Sequence, residues 1–205
     1  MEPLAPVIAT TILCIDLSLC DRLKLLNNYC MQKVTRVLII MALFFAVVSF
    51  KPLKKEKVLW LTVTELQEAY NKNPKPILVD VYTSWCGWCK VMDKETYSNE
   101  KVAGYINEHY YAVKFNAEQK DSLEWNGKKY GYNKNNKVHD LAVYFCYGQM
   151  SFPTTVFLPA LNAKPAPLAG YLKAKEIEPP LKFFGDGIYK TKIFEEFNKT
   201  FTASW

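Results

Sequence analysis

The stretch Ile77-Leu78-Val79-Asp80-Val81-Tyr82, followed almost at once by Trp85-Cys86-Gly87-Trp88-Cys89-Lys90, constrains the fold of this chain more than any other. A near-continuous apolar run rich in branched side chains suits a strand covered on both faces of its sheet. The residues after the run are compatible with a helix. A strand-to-helix turn then places Cys86 at the mouth of the helix and Cys89 inside its first turn. Free N–H groups and the positive end of the helix dipole favour a thiolate there, and the thiolate is the reactive species. Two cysteines at this spacing can also close a passive disulfide or supply half of a zinc site. The zinc reading lacks its other half, because there is no second CxxC and His109, His139 and Cys146 have no ligand-like spacing.

Two later segments belong with this motif: Asp93-Lys94-Glu95-Thr96-Tyr97-Ser98-Asn99-Glu100-Lys101-Val102 and Ser151-Phe152-Pro153-Thr154-Thr155-Val156-Phe157-Leu158. Together with the strand and the WCGWCK hexapeptide they resemble the thioredoxin-like family. Residues 77–90 are similar to the active-site strand and turn, and residues 151–158 to the segment where thioredoxins carry a cis-proline. The segment from Asp93 is closer to envelope thioredoxin-like domains, including the C-terminal domain of DsbD, than to small thioredoxins. The resemblance covers about residues 58–200. It implies an α/β thioredoxin fold, a central mixed sheet flanked by helices.

The same resemblance assigns roles. Cys86 is the expected nucleophile, and Cys89 the less exposed resolving thiol that attacks Cys86 once a mixed disulfide has formed. Asp80 matches the family's buried acid, the proton acceptor for the second cysteine. A carboxylate among Leu78, Val79 and Val81 is hard to ionise, so its pKa should rise; the alternative is an aspartate facing solvent at the strand end. Pro153 matches the cis-proline, with the Phe152 main chain pairing with an extended substrate; an ordinary trans proline opening a strand is the alternative. Trp85 and Trp88 offer flat apolar contacts, or simple packing. Gly87 and Lys90 are auxiliary. Gly87-Trp88 replaces the Gly-Pro common between the cysteines of thioredoxins, which leaves the potential and the direction of electron flow open.

The inserted region differs from small thioredoxins. Asn126-Gly127 between Ser122–Trp125 and Lys128–Tyr132 is a two-residue hairpin signal, and Asn133–Lys137 reads as a polar loop. A hairpin and loop are therefore expected over residues 118–138, before a helix at Asp140–Tyr147. Strands are expected at Val58–Val63, Tyr110–Phe115, Thr154–Leu158 and Leu168–Leu172. Helices are expected after an N-cap at Thr64, over Gly87–Glu95, and after Ser98 or Asn99. A terminal helical region is interrupted near Gly185-Asp186-Gly187.

The N-terminus reads separately. Lys33 and Arg36 precede an apolar run from Val37 to Val48, then Ser49-Phe50 and a basic stretch. A charged segment ahead of an apolar core of this length describes an export signal. Met31 stands where such a signal begins, so residues 1–30 are expected to be an upstream artefact of start-site choice. Residues 31–50 form a signal peptide or membrane anchor, residues 51–57 a basic linker, and residues 58–205 the thioredoxin-like domain. An uncleaved anchor at residues 37–50 and a cytosolic protein with a buried apolar helix stay open. Three of the six cysteines precede Met31; the domain keeps Cys86, Cys89 and Cys146, too few for a disulfide-stapled scaffold. Cys146 is expected to pack as a small hydrophobe, and His109 and His139 to lie on the surface. The net charge of +6 is spread along the chain, which gives no nucleic-acid footprint.

The sequence thus points to a periplasmic or otherwise exported thiol–disulfide oxidoreductase that reduces protein disulfides and is recharged by a membrane thiol reductant. No flavin or nicotinamide motif appears, so no cofactor is expected beyond the Cys86–Cys89 pair, and no metal. A disulfide oxidase or isomerase using the same residues, and a peptide-binding module with a passive CxxC, are the alternatives.

Overall fold

The computed structural model describes residues 57–205, together with Tyr29, residues 31–33, Thr35 and Arg36. The chain divides into two compact units, Met1–Lys54 and Lys55–Trp205. The described residues of the first are helical. The apolar run at 37–50, most of residues 1–30 and the basic stretch up to Glu56 lie outside the described residues. Among the described residues no helix is long and apolar enough to cross a membrane.

The second unit is a five-stranded mixed sheet with helices on both faces. Its strands are β1 (Trp60–Leu61), β2 (Ile77–Tyr82), β3 (Tyr111–Asn116), β8 (Thr154–Leu158) and β9 (Ala166–Ala169), in the order β1-β3-β2-β8-β9. β2 runs parallel to β3 and antiparallel to β8. It sits at the centre and is buried on both faces, as its apolar run requires. Side chains alternate across it. Ile77, Val79 and Val81 pack with Leu66, Phe115 and Phe145 on one face, whereas Leu78 packs with Met92, Ile106 and Leu181 on the other. Asp80 shares the second face.

The helices of this unit are α1 (Val63–Lys72), α2 (Gly87–Glu95), α3 (Glu100–His109), α4 (Asp140–Phe145), α5 (Ala174–Gly185) and α6 (Phe194–Thr200). α2 has the bounds read from the sequence, and Asn99 caps α3 by accepting from the N–H groups of Lys101 and Val102. The first helix begins earlier than expected. Thr62, not Thr64, is its cap, in a reciprocal capping box with Glu65 that brings Val63 and Leu66 into the core and cuts β1 to two residues. The strand expected at Leu168–Leu172 lies at Ala166–Ala169 instead, antiparallel to β8. α4 stops at Phe145 because Tyr147 and Gly148 take left-handed backbone (φ 49° and 77°).

The insertion is more ordered than its polar composition suggested. Asn126 and Gly127 (φ 49° and 74°) turn β4 (Leu123–Trp125) into β5 (Lys128–Tyr130), the geometry that an Asn-Gly pair favours. The stretch read as a loop is the turn of a second small hairpin, β6 (Tyr132–Asn133) and β7 (Val138–His139). His139 is fully buried, contrary to the surface position expected of it. Its Nδ1 accepts from the Leu141 N–H at 3.1 Å to cap α4, so Nε2 carries the proton and donates to the Asp121 carbonyl at 2.9 Å.

Trp125 ties the insertion to the body of the fold, its ring meeting Phe145 edge-on at 4.9 Å with almost no exposure. Replacing Trp125 with Ala should therefore cost about 3 kcal/mol, at the lower end for an aromatic truncation because the buried indole N–H has no partner. Urea unfolding checks this; a change below about 0.5 kcal/mol, typical of surface sites, would make the insertion mere decoration.

Candidate active site

β2 delivers the chain to the turn at Thr83–Cys86, closed by a hydrogen bond from the Cys86 N–H to the Thr83 carbonyl at 3.3 Å. Cys86 is the N-cap of α2, and its Sγ accepts from the Cys89 N–H at 3.1 Å. That bond is the sulfur analogue of a serine cap, and it survives as a charge-assisted bond when Cys86 is a thiolate. The two cysteines are joined as a disulfide, Cα atoms 5.4 Å apart. Cys86 and Cys89 are 5% and 3% exposed, so the difference in accessibility expected between them is slight.

Two aromatic contacts flank the pair. Trp85 is largely exposed; its Nε1 donates to Glu118 at 3.0 Å, and its ring meets Phe152 edge-on at 6.0 Å. The Phe152–Pro153 bond is cis, and Pro153 is buried where its carbonyl accepts from the Gly170 N–H at 2.8 Å. Trp88 is also exposed and stacks on Tyr171. Gly87 has ordinary helical backbone, and a Cβ there would meet nothing within 4 Å, so sterics do not demand glycine. Lys90 is exposed.

Asp80 is buried, not solvent-facing. Its Oδ2 pairs with Lys114 Nζ at 2.8 Å, while Oδ1 has no hydrogen-bond partner. Strand register explains the pairing, since Asp80 lies opposite Lys114 on β3 and Thr155 on β8. Burial raises the Asp80 pKa to about 6, Lys114 opposing the rise and Asp93 adding to it. Lys114 also bridges to Asp93 on α2, and its ammonium lies over the rings of Trp60, Tyr82 and Tyr97. A cleft of about 330 Å³, lined in part by Trp60, Asp93, Tyr97 and Lys114, brings solvent to this ion cluster. Cys146 is buried, with its thiol pushed up to about 11 by desolvation, as befits a packed hydrophobe. Among the described residues, no cluster of three or more His, Cys, Asp or Glu side chains could hold a metal.

Sequence reasoning singled out the cysteines, Asp80, the tryptophans and the Phe152-Pro153 pair. It missed Lys114, Asp93 and Tyr171. A lone charged residue in the strand Tyr111–Asn116 was the available hint for the first; the others depend on tertiary contacts.

Residues 50–183, well over half of the chain, match the family Thioredox_DsbH, described as a protein of unknown function, DUF255. The chain belongs to this thioredoxin-like DsbH family. The DsbH-family chain is 33% identical over 95 residues to an uncharacterized protein of Caenorhabditis elegans, a match covering 45% of the chain and 11% of that protein. Over 45 residues it is 33% identical to the thiol:disulfide interchange protein DsbD of Pectobacterium atrosepticum, covering 22% of the chain and 8% of DsbD. These matches thus span about a tenth of the relatives' length. Among solved structures, a thioredoxin-fold protein from Helicobacter pylori aligns with TM-score 0.48 and 26% identity over 62% of this chain and 80% of its own. The family and the closed CxxC at a helix N-terminus support a thiol–disulfide redox role for the DsbH-family domain.

The raised pKa of Asp80 makes a prediction about stability. The folded protein holds this proton between the unfolded value near 3.8 and about 6, so the contribution is present at low pH and lost as pH rises through 6. Asp80→Asn cannot ionise. Its stability relative to the oxidised wild type should therefore increase by about 2–3 kcal/mol between pH 4 and pH 8. Urea titrations at the two pH values measure this; a pH-independent difference would show that Asp80 titrates normally.

Proposed function

We propose that this protein is an exported thiol–disulfide oxidoreductase that reduces disulfides in protein substrates. The observation that carries the reading is the Cys86 sulfur at the N-cap of α2, accepting the Cys89 N–H. In the reduced enzyme the Cys86 thiolate attacks a substrate disulfide, forming a mixed disulfide and expelling one substrate thiolate. Asp80, buried on the strand that leads into the turn, is the acceptor of the Cys89 proton. The Cys89 thiolate then attacks Cys86 Sγ, closing the Cys86–Cys89 disulfide and expelling the second substrate thiolate. Two electrons pass from the dithiol to the substrate.

A base with a pKa of about 6 is matched to this work near neutral pH, where it is mostly ionised yet close enough to the transferred proton in basicity. The reducing direction draws support from the same group. A buried carboxylate opposes negative charge on neighbouring thiols, which disfavours the dithiolate and favours the disulfide. Trp85, Trp88, Phe152 and Pro153 would form the peptide-contacting rim, the Phe152 main chain pairing with the extended substrate. Export rests on the charged-then-apolar pattern of residues 33–50, with a membrane thiol reductant as the source of electrons.

Cys86→Ser should abolish disulfide reduction, and Cys89→Ser should accumulate a mixed disulfide with substrate, detected by mass spectrometry. Asp80→Asn should slow resolution of that intermediate at least tenfold while sparing the first attack. Equilibration with thiol–disulfide buffers then fixes the direction. A potential near about −270 mV supports a reductase, whereas one near about −120 mV would make the protein an oxidant. Unimpaired reduction by Cys86→Ser would remove Cys86 from the chemistry, whereas peptide binding by a wild type that reduces no disulfide would leave only a peptide-binding module.

A further inference from the structure

Tyr171 follows the edge strand β9. Its ring lies against the Trp88 indole with centroids 5.6 Å apart and planes inclined by 26°. Its hydroxyl donates to Glu95 Oε2 at 2.6 Å. The next residue is anchored as well, because the buried Thr96 donates its hydroxyl to the Leu172 carbonyl at 2.5 Å. Trp88 and Glu95 are seven residues apart on α2 and share one face of the helix. Tyr171 is therefore tied to both ends of that face, by its ring to the first turn and by its hydroxyl to the last.

The consequence falls on Trp88. An exposed tryptophan samples several rotamers, and fixing one of them costs entropy that a partner must offset. Tyr171 is that partner, and the Glu95 bond fixes Tyr171 in turn. Trp88 nevertheless remains 62% exposed. With one ring face against Tyr171, its free surface is the opposite face and the ring edge. Trp88 stands between the two half-cystines in sequence, so its indole is carried on the same first turn of α2 that holds the disulfide. On the other side of Cys86, Trp85 is held against Phe152 and bonded to Glu118.

We propose that Tyr171 is a positioning residue that holds the Trp88 indole as a flat shelf beside the disulfide, and that this shelf selects peptides carrying an aromatic side chain next to their cysteine. The inference rests on the reading of Cys86–Cys89 as the reductant of peptide disulfides. A fixed indole face offers offset stacking to a planar ring, which adds about two- to tenfold in affinity beyond simple burial. Glycine beside the cysteine gains none of this. The Glu95 carboxylate is already engaged by Tyr171, so the shelf presents ring surface more than charge.

The test uses the reduced full-length protein in single turnover against two short peptides, each a disulfide-linked dimer through its cysteine, with Phe or Gly beside that cysteine. Oxidised glutathione, which has no ring, serves as the control. Wild type should reduce the Phe peptide about fivefold faster than the Gly peptide. Tyr171→Ala should erase that preference through loss of rate on the Phe peptide alone, with the glutathione rate unchanged. Tyr171→Phe keeps the stacked ring but loses the Glu95 bond, and should restore most of the preference. Trp88→Ala should also lose the preference, read as the ratio of the Phe to the Gly rate, and the double variant should show no further loss of that ratio, because the two rings act as one unit. Equal rates on the two peptides in wild type, or a preference that survives in Tyr171→Ala, would overturn the proposal and leave the oxidoreductase reading intact. Failure of wild type to react with any of the three disulfides would overturn both.

Discussion

Burial of β2 on both faces is the constraint from which the site follows. A central strand has no solvent-facing side, so each of its residues must suit a packed interior. Five of the six do so as apolar or aromatic groups; Asp80 does not. Its carboxylate is tolerated because strand register sets Lys114 beside it and because its pKa rises until much of the charge can be given up. The same burial fixes the direction in which the strand leaves the sheet. It ends at Tyr82, the chain turns through Thr83, and Cys86 arrives at the first free N–H groups of α2. Packing thus positions the sulfur, and the helix terminus makes it reactive.

The sequence was legible where local pattern and tertiary demand agree. The apolar run at 77–82 could only be a central strand, and α2 follows it with the bounds its sequence implies. Asn126-Gly127 specified its hairpin because the turn needs positive φ at both positions, which that dipeptide accommodates. Legibility failed where two local choices were equivalent. Thr62 and Thr64 each stand three residues ahead of a Glu or Gln, so both could open a capping box; placing Val63 and Leu66 in the core decides for Thr62. It failed again where polarity misled. Asn133–Lys137 looked like free loop, but Asn133 turns the segment with its side chain by accepting from the Asn135 and Asn136 N–H groups. His139 looked like a surface residue because nothing in its neighbourhood announces that both ring nitrogens have backbone partners.

The site was legible in the same uneven way. Cys86, Cys89 and Asp80 lie within one short stretch, and strand alternation alone puts Asp80 on the covered face toward α2. Lys114 and Asp93 come from β3 and from the second half of α2, so only the folded chain brings them to Asp80. Tyr171 is the extreme case. It lies far from the cysteines in sequence, in a segment with no periodic signal, and meets Trp88 only because β9 pairs with β8 at the sheet edge.

Two opposed electrostatic influences meet at this turn. The end of α2 and the Cys89 N–H draw negative charge onto the Cys86 sulfur, whereas an ionised Asp80 behind the turn resists it. Their balance depends on how far Lys114 neutralises Asp80, and Lys114 divides its charge between two carboxylates. Asp93 is partly exposed and can exchange its partner for water, but Asp80 cannot. In the proposed cycle this asymmetry has a purpose. A buried acid with a fixed cation beside it and an unpartnered second oxygen can take a proton and return it without waiting for bulk solvent to rearrange. Reactivity toward disulfides is then set by the turn, and the cost of resetting the thiols by the ion cluster beneath it.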